Sequence, residues 1–500
     1  MLRKIRLTLA VIFFVLITML LLDFTGTVHA WLGWLAKIQF MPAVLALNIG
    51  VILLLVLSTL LFGRVYCSII CPLGVFQDLV AWIGKKGKKL PYNFSPAKSW
   101  LRYGILILFV AAIVFAVSAA VALLDPYGAY GRIANNLFLP IVQWGNNIKA
   151  SIAEHFDSYA FYSTDIWLKS LPTFIIAVIT LVVVVVLAWK NGRTYCNTIC
   201  PVGTFLGLLS RYSLFRIQIN EHKCNKCKTC TRNCKAACIE PKESKVDYTR
   251  CVACMNCIGK CSSSAIEYKF AYSKGTNIET AVSGKPDEGR KGFLTALMIL
   301  AASALKAQVI PKAKDIKPDG GLAEILPKKS PVRSTQLTPP GSLSARNMKQ
   351  RCTACQLCVT VCPNNVLRPS TAFETFMQPF MSFERGYCRP ECVKCSEVCP
   401  TGAIHKITKV EKSSIQIGHA VCVHERCVPI KDKLECDNCE RHCPTKAITM
   451  VPLVPGDDKS LKIPTVNEEL CIGCGACETL CPARPLSAIY VEGHQMHRII

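Results

Sequence analysis

The chain has 500 residues, a 51% hydrophobic share, a formal charge of +25 and 30 cysteines. That apolar share is high for a soluble protein, the length suggests about three domains, and the cysteine count lies far outside ordinary usage. The positive charge does not make a nucleic-acid binder, because no reading motif accompanies it and its topogenic part sits beside apolar runs.

Four apolar stretches, 7–22, 41–62, 103–124 and 171–189, contain no Asp, Glu, Lys, Arg or His. About 20 such residues cross a bilayer and about 17 suffice, so four spans are predicted, the first completed by Ile5 and Arg6. A signal-peptide reading of the first is disfavoured, because no small-residue cleavage site follows it. Lys and Arg crowd before the first stretch (Arg3, Lys4, Arg6), between the second and third (the KKGKK loop) and after Lys190. They are sparse in the other two connections. The positive-inside bias therefore puts the N-terminus, the KKGKK loop and the chain after Lys190 in the cytoplasm.

The second and fourth stretches run into GRVYCSIICPLGVF and GRTYCNTICPVGTF. The helical part is thus two repeated hairpins, each closed by one box, and such repeats commonly build a site at their interface. Cys67 and Cys71, like Cys196 and Cys200, are four apart and share a helix face. Together they offer four sulfur ligands, enough for one further metal centre. Thiol–disulfide exchange is the alternative redox role, and small buried thiols are the bland reading.

Next come CNKCKTCTRNC and CVACMNCIGKC, each a C-x2-C-x2-C-x3-C run whose fourth cysteine ligates the other cluster of a pair. The expected 4Fe–4S sets are Cys224, Cys227, Cys230 with Cys261, and Cys251, Cys254, Cys257 with Cys234. Neither run ends in the usual Pro, and Cys238 competes with Cys234 for the fourth position. Zinc prefers two separated knuckles.

The apolar stretch 286–310 follows, then a Pro-, Lys- and Ser-rich segment, 311–346, that reads as a linker. Four more runs close the chain. Their expected sets are Cys352, Cys355, Cys358 with Cys399; Cys388, Cys392, Cys395 with Cys362; Cys427, Cys436, Cys439 with Cys481; and Cys471, Cys474, Cys477 with Cys443. Six clusters use 24 cysteines, and Cys422 is spare. No C-x-x-C-H haem motif, no His within the four stretches, no phosphate loop and no hydrolytic constellation is present, so the chemical signals point to electron transfer.

The expected fold is a membrane α-helical bundle (four spans in two repeated hairpins, plus a fifth) with α+β ferredoxin-like iron–sulfur domains. The predicted parts are 1–215 helical, 216–272 two-cluster ferredoxin, 286–310 signal or anchor, 311–346 linker and 347–500 four-cluster module.

The boxes followed by a two-cluster ferredoxin resemble NapH, the membrane subunit of a quinol dehydrogenase, with NosR and the assembly factor CcoG as relatives of the same boxes. From about Pro339, the four runs and HERC…CDNCERHCP resemble the polyferredoxin partner NapG and MauM. The chain looks like a NapH–NapG fusion. That resemblance implies an electron-transfer subunit of a quinol dehydrogenase in the bacterial inner membrane, passing electrons from the quinol pool to a periplasmic reductase or cytochrome in anaerobic respiration. A metal- or thiol-reducing assembly factor is the alternative.

The resemblance also implies export of the last module, with Arg290-Lys291-Gly292-Phe293-Leu294 similar to a twin-arginine signal. The other reading keeps everything after 286–310 in the cytoplasm. Export leaves a gap, because the box cysteines sit at the cytoplasmic end of a core about 30 Å thick. Diffusible quinone or a haem-bearing partner would have to bridge it. Candidates for a quinone site are Asp23, His29, Trp31 and Trp34, near the outer ends of the predicted spans.

Overall fold

The structure is a computed structural model that describes residues 2–86, 92–158, 160–241, 243–272, 326–457 and 460–500. The apolar stretch 286–310, with its Arg-Lys motif, and the first part of the expected linker lie outside the described residues. Residues 1–271 and 328–500 form one unit.

Two helices are long and apolar enough to cross a bilayer: α1 (Leu2–Leu22), and the helix Leu171–Asn191 that becomes α12 below, each of 21 residues. At 1.5 Å per residue each is about 31 Å long, close to the hydrocarbon thickness. Only 28% and 22% of their apolar windows are buried, so their outer faces lack the cover that a soluble core helix would have.

The other two expected spans are broken. After α2 (Thr27–Leu32) and α3 (Trp34–Lys37), the stretch 41–62 divides into α4 (Phe40–Leu45) and α5 (Ile49–Phe62). Box one carries α6 (Val65–Ile69) and α7 (Pro72–Lys86), and the stretch 103–124 then divides into α8 (Ser99–Val114) and α9 (Ser118–Leu124). At the breaks Leu47 and Ala116 both take φ of 54°. The amides of Asn48 and Val117 reach back to the carbonyls of Ala43 (2.9 Å) and Ala112 (2.8 Å), the six-to-one bond of a Schellman turn. A left-handed residue with a side chain costs about 1–2 kcal/mol. Neither break carries Gly or Pro, which is why the composition gave no sign of it.

Each break turns the chain back inward. The Phe40 amide donates to Tyr66 Oη at 3.1 Å, and that hydroxyl donates to Gln39 at 3.0 Å. The start of α4 therefore lies against box one. After α9, Asp125 caps α10 (Pro126–Ile133) by accepting from Gly128 N at 2.7 Å and Tyr127 N at 3.2 Å. Every residue of α10 is buried. Its Tyr130 packs on Phe14 of α1 (5.7 Å) and on Phe76 of α7 (6.1 Å). A π-turn at Ala134–Phe138 leads into α11 (Leu139–His155), then α12 (Leu171–Asn191), α13 (Thr194–Thr198) and α14 (Pro201–Ser210).

The two halves are interleaved, α7 packing on α12 and α14 on α5. Arg64 of box one donates to Cys196 O (3.3 Å) and Asn197 Oδ1 (2.8 Å) of box two. Arg193 of box two donates to Cys67 O of box one. Gly74 and Gly203 make room, since a Cβ at either would strike the same carbonyl and crowd the visiting guanidinium. Asp78 ties Arg193 (2.7 Å), Arg6 (2.5 Å) and Lys235 (3.3 Å) together. Burial alone would push its carboxyl up, but these charges outweigh burial and hold it well below the usual carboxylate range.

The ferredoxin module pairs β1 (Phe215–Ile219) with a strand at Ile266–Phe270, and β2 (Ile239–Glu240) with β3 (Lys245–Val246), all antiparallel. The Ile266–Phe270 strand is β4. The C-terminal module has three more two-stranded sheets. These are β5 (Leu367–Pro369) with β6 (Pro379–Met381), β7 (Ile415–Cys422) with the strand Ile489–Ile499, and β8 (Ile448–Pro452) with β9 (Lys462–Val466).

The expected linker 311–346 is corrected in its second half, because residues 328–346 belong to the C-terminal module. Arg333 grips the buried Glu478 carboxylate at 2.6 Å, Lys328 donates to Thr479 O at 2.7 Å, and Leu337 is fully buried. The Pro and Lys content that read as solvated spacer instead supplies cations for buried carbonyls and a carboxylate.

The two modules dock at opposite ends of the long helices. At one end Arg3 of α1 donates to Asn256 (3.2 Å), and Arg193, just past α12, donates its amide to Lys235 O (2.8 Å). At the other end Lys394 donates to Thr25 O just past α1, and Lys169, just before α12, donates to Val359 O, both at 3.0 Å. Trp167 is held between Arg368 and Arg385.

Replacing Asp78 with Asn leaves buried cations without their counter-charge. The substitution is expected to destabilise the detergent-purified chain by about 3–5 kcal/mol, read as a lower thermal unfolding midpoint. An unchanged midpoint would mean that the interleaved helices hold without it.

Candidate functional site

The four complete runs share a backbone device. Their third and fifth residues take positive φ: Lys226 and Lys228, Ala253 and Met255, Ala354 and Gln356, Gly473 and Gly475. Alternating left-handed residues turn successive amides to one side, the nest geometry of many iron–sulfur sites. Six of the eight carry side chains, a strain of order 1–3 kcal/mol each. The same two motif positions take positive φ in all four runs, which points to a shared function of the loops.

Four cavities collect the cysteines in the predicted groups. One is lined by Cys224, Cys227, Cys230 and Cys261. Others are lined by Cys362, Cys388, Cys392 and Cys395, and by Cys443, Cys471, Cys474 and Cys477. A fourth holds Cys251, Cys254, Cys257, Cys234 and also Cys238. Cys352, Cys355, Cys358 and Cys399 face one another, as do Cys436, Cys439 and Cys427, with Cys481 in the same buried cluster. Among the described residues no three donors converge on a point as a single ion requires. The cysteines line cavities instead, and a multi-iron cluster held by thiolates fits them.

The two surplus cysteines are not remote. Cys238 Sγ lies 3.5 Å from Cys234 Sγ, and Cys422 lies against Cys427 and faces Cys439 and Cys481. One local pattern separates Cys234 from Cys238. The fourth cysteines Cys261 and Cys443 each accept the amide four residues on, at 3.3 and 3.2 Å. Cys234 accepts the Cys238 amide in the same way.

The box cysteines Cys67, Cys71, Cys196 and Cys200 share one buried core. Cys196 Sγ accepts from Gln77 (3.2 Å) and Cys200 Sγ from Gly203 N (3.3 Å). Arg64 reaches towards Cys67 Sγ at 3.8 Å. Burial pushes the Cys71, Cys196 and Cys200 thiols up, and their neighbouring box cysteines add to it. Such a set ionises only when a cation joins it.

The ferredoxin module brings a cysteine loop to this core, and the C-terminal module brings one to α10 beside it. Arg64 and Arg102 donate to Thr249 O at 3.3 and 3.1 Å, two residues before Cys251. That loop lies on Gly207 of α14, where a side chain would collide with Thr249 O. From the other module the Cys352–Cys355 loop lies on α10, where a Cβ at Gly131 would come within 2.6 Å of Cys355 O. Arg132 of α10 faces Tyr195, next to Cys196, and also Cys352 and Cys355. One helix, about 10 Å thick, therefore lies between the box core and the C-terminal module's first group. Beyond it Cys388 N donates to Cys474 O (2.9 Å), joining the next groups. The helix α10 thus occupies the space between the boxes and the C-terminal module.

Several working residues were not singled out by sequence: Arg132, Gln77, Asp78 and Lys412. The buried Lys412 donates to Cys388 Sγ at 3.2 Å and to the carbonyls of Arg389 and Cys392. The only available signals were charged residues inside apolar context and the YGAYG spacing of α10. Of the proposed quinone residues, Asp23 and His29 are neighbours through a bond from the His29 backbone amide. Asp23 is a local cap, accepting from Thr25, Gly26 and His29 amides, and Trp31 is 81% exposed.

Comparison with known proteins agrees with this chemistry. A 4Fe-4S binding domain family matches residues 43–91 and 172–220, spanning the two boxes. A 4Fe-4S dicluster domain matches 434–484, and another 4Fe-4S binding domain matches 348–368. The methylamine utilization ferredoxin-type protein MauM of Methylobacillus flagellatus is 36% identical over 155 residues, 30% of this chain and 64% of that protein. The ferredoxin-type protein NapG of Escherichia coli K12 is 30% identical over 210 residues, 40% of this chain and 84% of its own length. The ferredoxin-type protein NapF of the same strain is 28% identical over 162 residues, 89% of its length. No solved structure matches the chain. Cavities, nests and matches define a 4Fe–4S electron-transfer protein of ferredoxin type. The chain belongs to the ferredoxin-type protein family represented by MauM and NapG.

Cys234→Ser is expected to remove one cluster signal from the electron paramagnetic resonance spectrum of the reduced protein, and Cys238→Ser to leave it. The reverse result would transfer the fourth position to Cys238. Lys412→Met removes a buried cation from a ligand sulfur and should lower one cluster's midpoint potential by about 60 mV or more, a tenfold one-electron shift. An unchanged redox titration would leave Lys412 a purely structural role.

Proposed function

We propose that the chain is a transmembrane electron-transfer protein that carries electrons from the quinol pool to an acceptor on the outer face of the bacterial inner membrane. The observation that carries the reading is the docking of the two cysteine-rich modules at opposite ends of α1 and α12, one bringing a cluster loop to the box core and the other bringing one to α10 beside it. The Lys and Arg bias favours a cytoplasmic ferredoxin end, which puts the C-terminal module on the periplasmic face in this reading.

In this reading Cys67, Cys71, Cys196 and Cys200 hold a metal centre between the modules. The six groups of four cysteines hold 4Fe–4S clusters, which supply one-electron storage when bound. The protein's own part is to exclude water from the box core, to aim Arg64, Arg102 and Arg132 at the cluster loops, and to hold those loops at glycine contacts. NapG and MauM likeness supports an outer redox partner such as a reductase or cytochrome. The α10 contact supports a path without a haem-bearing bridge.

One experiment tests both halves. In intact spheroplasts, a tag after Ile500 is expected to be cleaved by added protease while an internal control survives. In the purified chain, the double variant Cys67→Ser with Cys196→Ser is expected to lose iron and to slow electron equilibration between the modules at least tenfold. A protected tag would sink the outer-face reading. Full iron with unchanged equilibration would remove the boxes from the path.

A further inference from the structure

Among the described residues one large cavity has no cysteine in its lining. It measures about 470 Å³, within the range of small-molecule sites, and opens between α1, α7 and the ferredoxin module. Its two ends differ in chemistry. Leu7, Val11 and Phe14 form an i, i+4, i+7 stripe along α1, faced by Leu79 of α7. Leu7 and Val11 are both 51% exposed, so this wall opens sideways on the apolar outside of the bundle. The opposite end carries Arg6, Lys235, Asn256 and Lys260.

The polar end belongs to the cluster-binding loops. Asn256 lies between Cys254 and Cys257, Lys235 follows Cys234, and Lys260 precedes Cys261. Among the described residues Arg6 Nε, although buried, has no hydrogen-bond partner. The cavity thus has an apolar entrance, a buried unused donor and a redox-site wall. A lipid headgroup would use the cations but would gain nothing from the cluster loop.

We infer that this cavity is the quinone/quinol site, the isoprenoid tail entering along α1 and the ring resting beside the Cys254–Cys257 loop. The inference rests on the proposed quinol-linked function. A bound quinol would be oxidised to quinone with loss of two electrons and two protons. The electrons would pass singly to the adjacent 4Fe–4S centre, the protons to water at the exposed end where Arg3 and Lys260 stand. Asp78, bound to Arg6, Arg193 and Lys235, holds Arg6 in place rather than accepting protons. The site therefore lies at the ferredoxin end of α1, opposite to Asp23, His29, Trp31 and Trp34.

The test uses the full chain, purified in detergent with its clusters. Binding of ubiquinone-1 and of menadione is followed by tryptophan quenching, and an azidoquinone maps the contact by cross-linking and mass spectrometry. Cross-links are expected on α1 and α7. Ala10→Phe, which fills the cavity, and Val11→Trp, which narrows its exposed wall without burying new bulk in the core, should each weaken binding at least tenfold. Iron content and dithionite-reduced spectra should not change. Unchanged affinity in both variants, cross-links at residues 23–34, or displacement of the probe by phosphatidylglycerol alone would overturn the assignment. In those cases electron passage between the modules, measured in the same preparations, can persist and the relay stands. Absence of quinone binding anywhere on the chain removes the quinol link as well.

Discussion

The crossed pair Arg64 and Arg193 is the interaction on which the rest depends. Each guanidinium leaves its own box and satisfies the first cysteine's carbonyl in the other, in a site with no exposure to water. A buried guanidinium without such partners is costly, so neither half of the helical domain can close alone. The boxes are brought together by the same contacts that pay for burying the charges. Gly74 and Gly203 are small because the visiting arginine and the cysteine carbonyl occupy the space a Cβ would take. The whole G-R-x-Y-C-x3-C-P-x-G motif reads as one device written twice: an arginine for the partner, two sulfurs for the shared core and a glycine to admit the partner's arginine.

With the boxes joined, the helix breaks set how far the C-terminal module lies from the box core. Two unbroken spans at 41–62 and 103–124 would keep the C-terminal module a full helix length from the box core. The breaks at Leu47 and Ala116 instead send chain back inward and place α10 beside α7 and Tyr195. The C-terminal module then needs to reach only α10, which it does with a cysteine loop. Irregular backbone at this depth is tolerated because it is enclosed by protein and its amides are satisfied by Schellman bonds and by Tyr66 and Asp125. Strain at two residues thus goes with the placement of α10 between the box core and the C-terminal module.

The cysteine groups were the most legible part of the chain. Ligands spaced by two residues on one loop are a local matter, and partner cysteines come from the adjacent run, so spacing alone predicted the sets that line the cavities. Surplus Cys238 and Cys422 were legible as surplus, and the competition of Cys238 with Cys234 for one position anticipated their adjacency. The adjacency of Cys422 to Cys427 was not legible, because it depends on a turn that composition does not specify. The linker reading of 328–346 failed for a different reason. Pro and Lys mark solvated spacers on average, and nothing local said that Lys328 and Arg333 would find buried carbonyls and Glu478 more than 140 residues away.

The sequence by itself determined the chemistry: iron–sulfur binding, a duplicated cysteine box, the long apolar helices and the charge bias, all carried by spacing and composition within short windows. Tertiary structure alone decided how the cysteine groups follow one another, which helices break, where an amphiphile can enter and which end of the helical domain each module holds. Those outcomes rest on contacts between residues more than a hundred positions apart, such as Arg64 with Cys196, Gly131 with Cys355 and Lys169 with Val359. No local pattern encodes such contacts, because either partner alone is only a glycine at a helix face or a cation beside an apolar run.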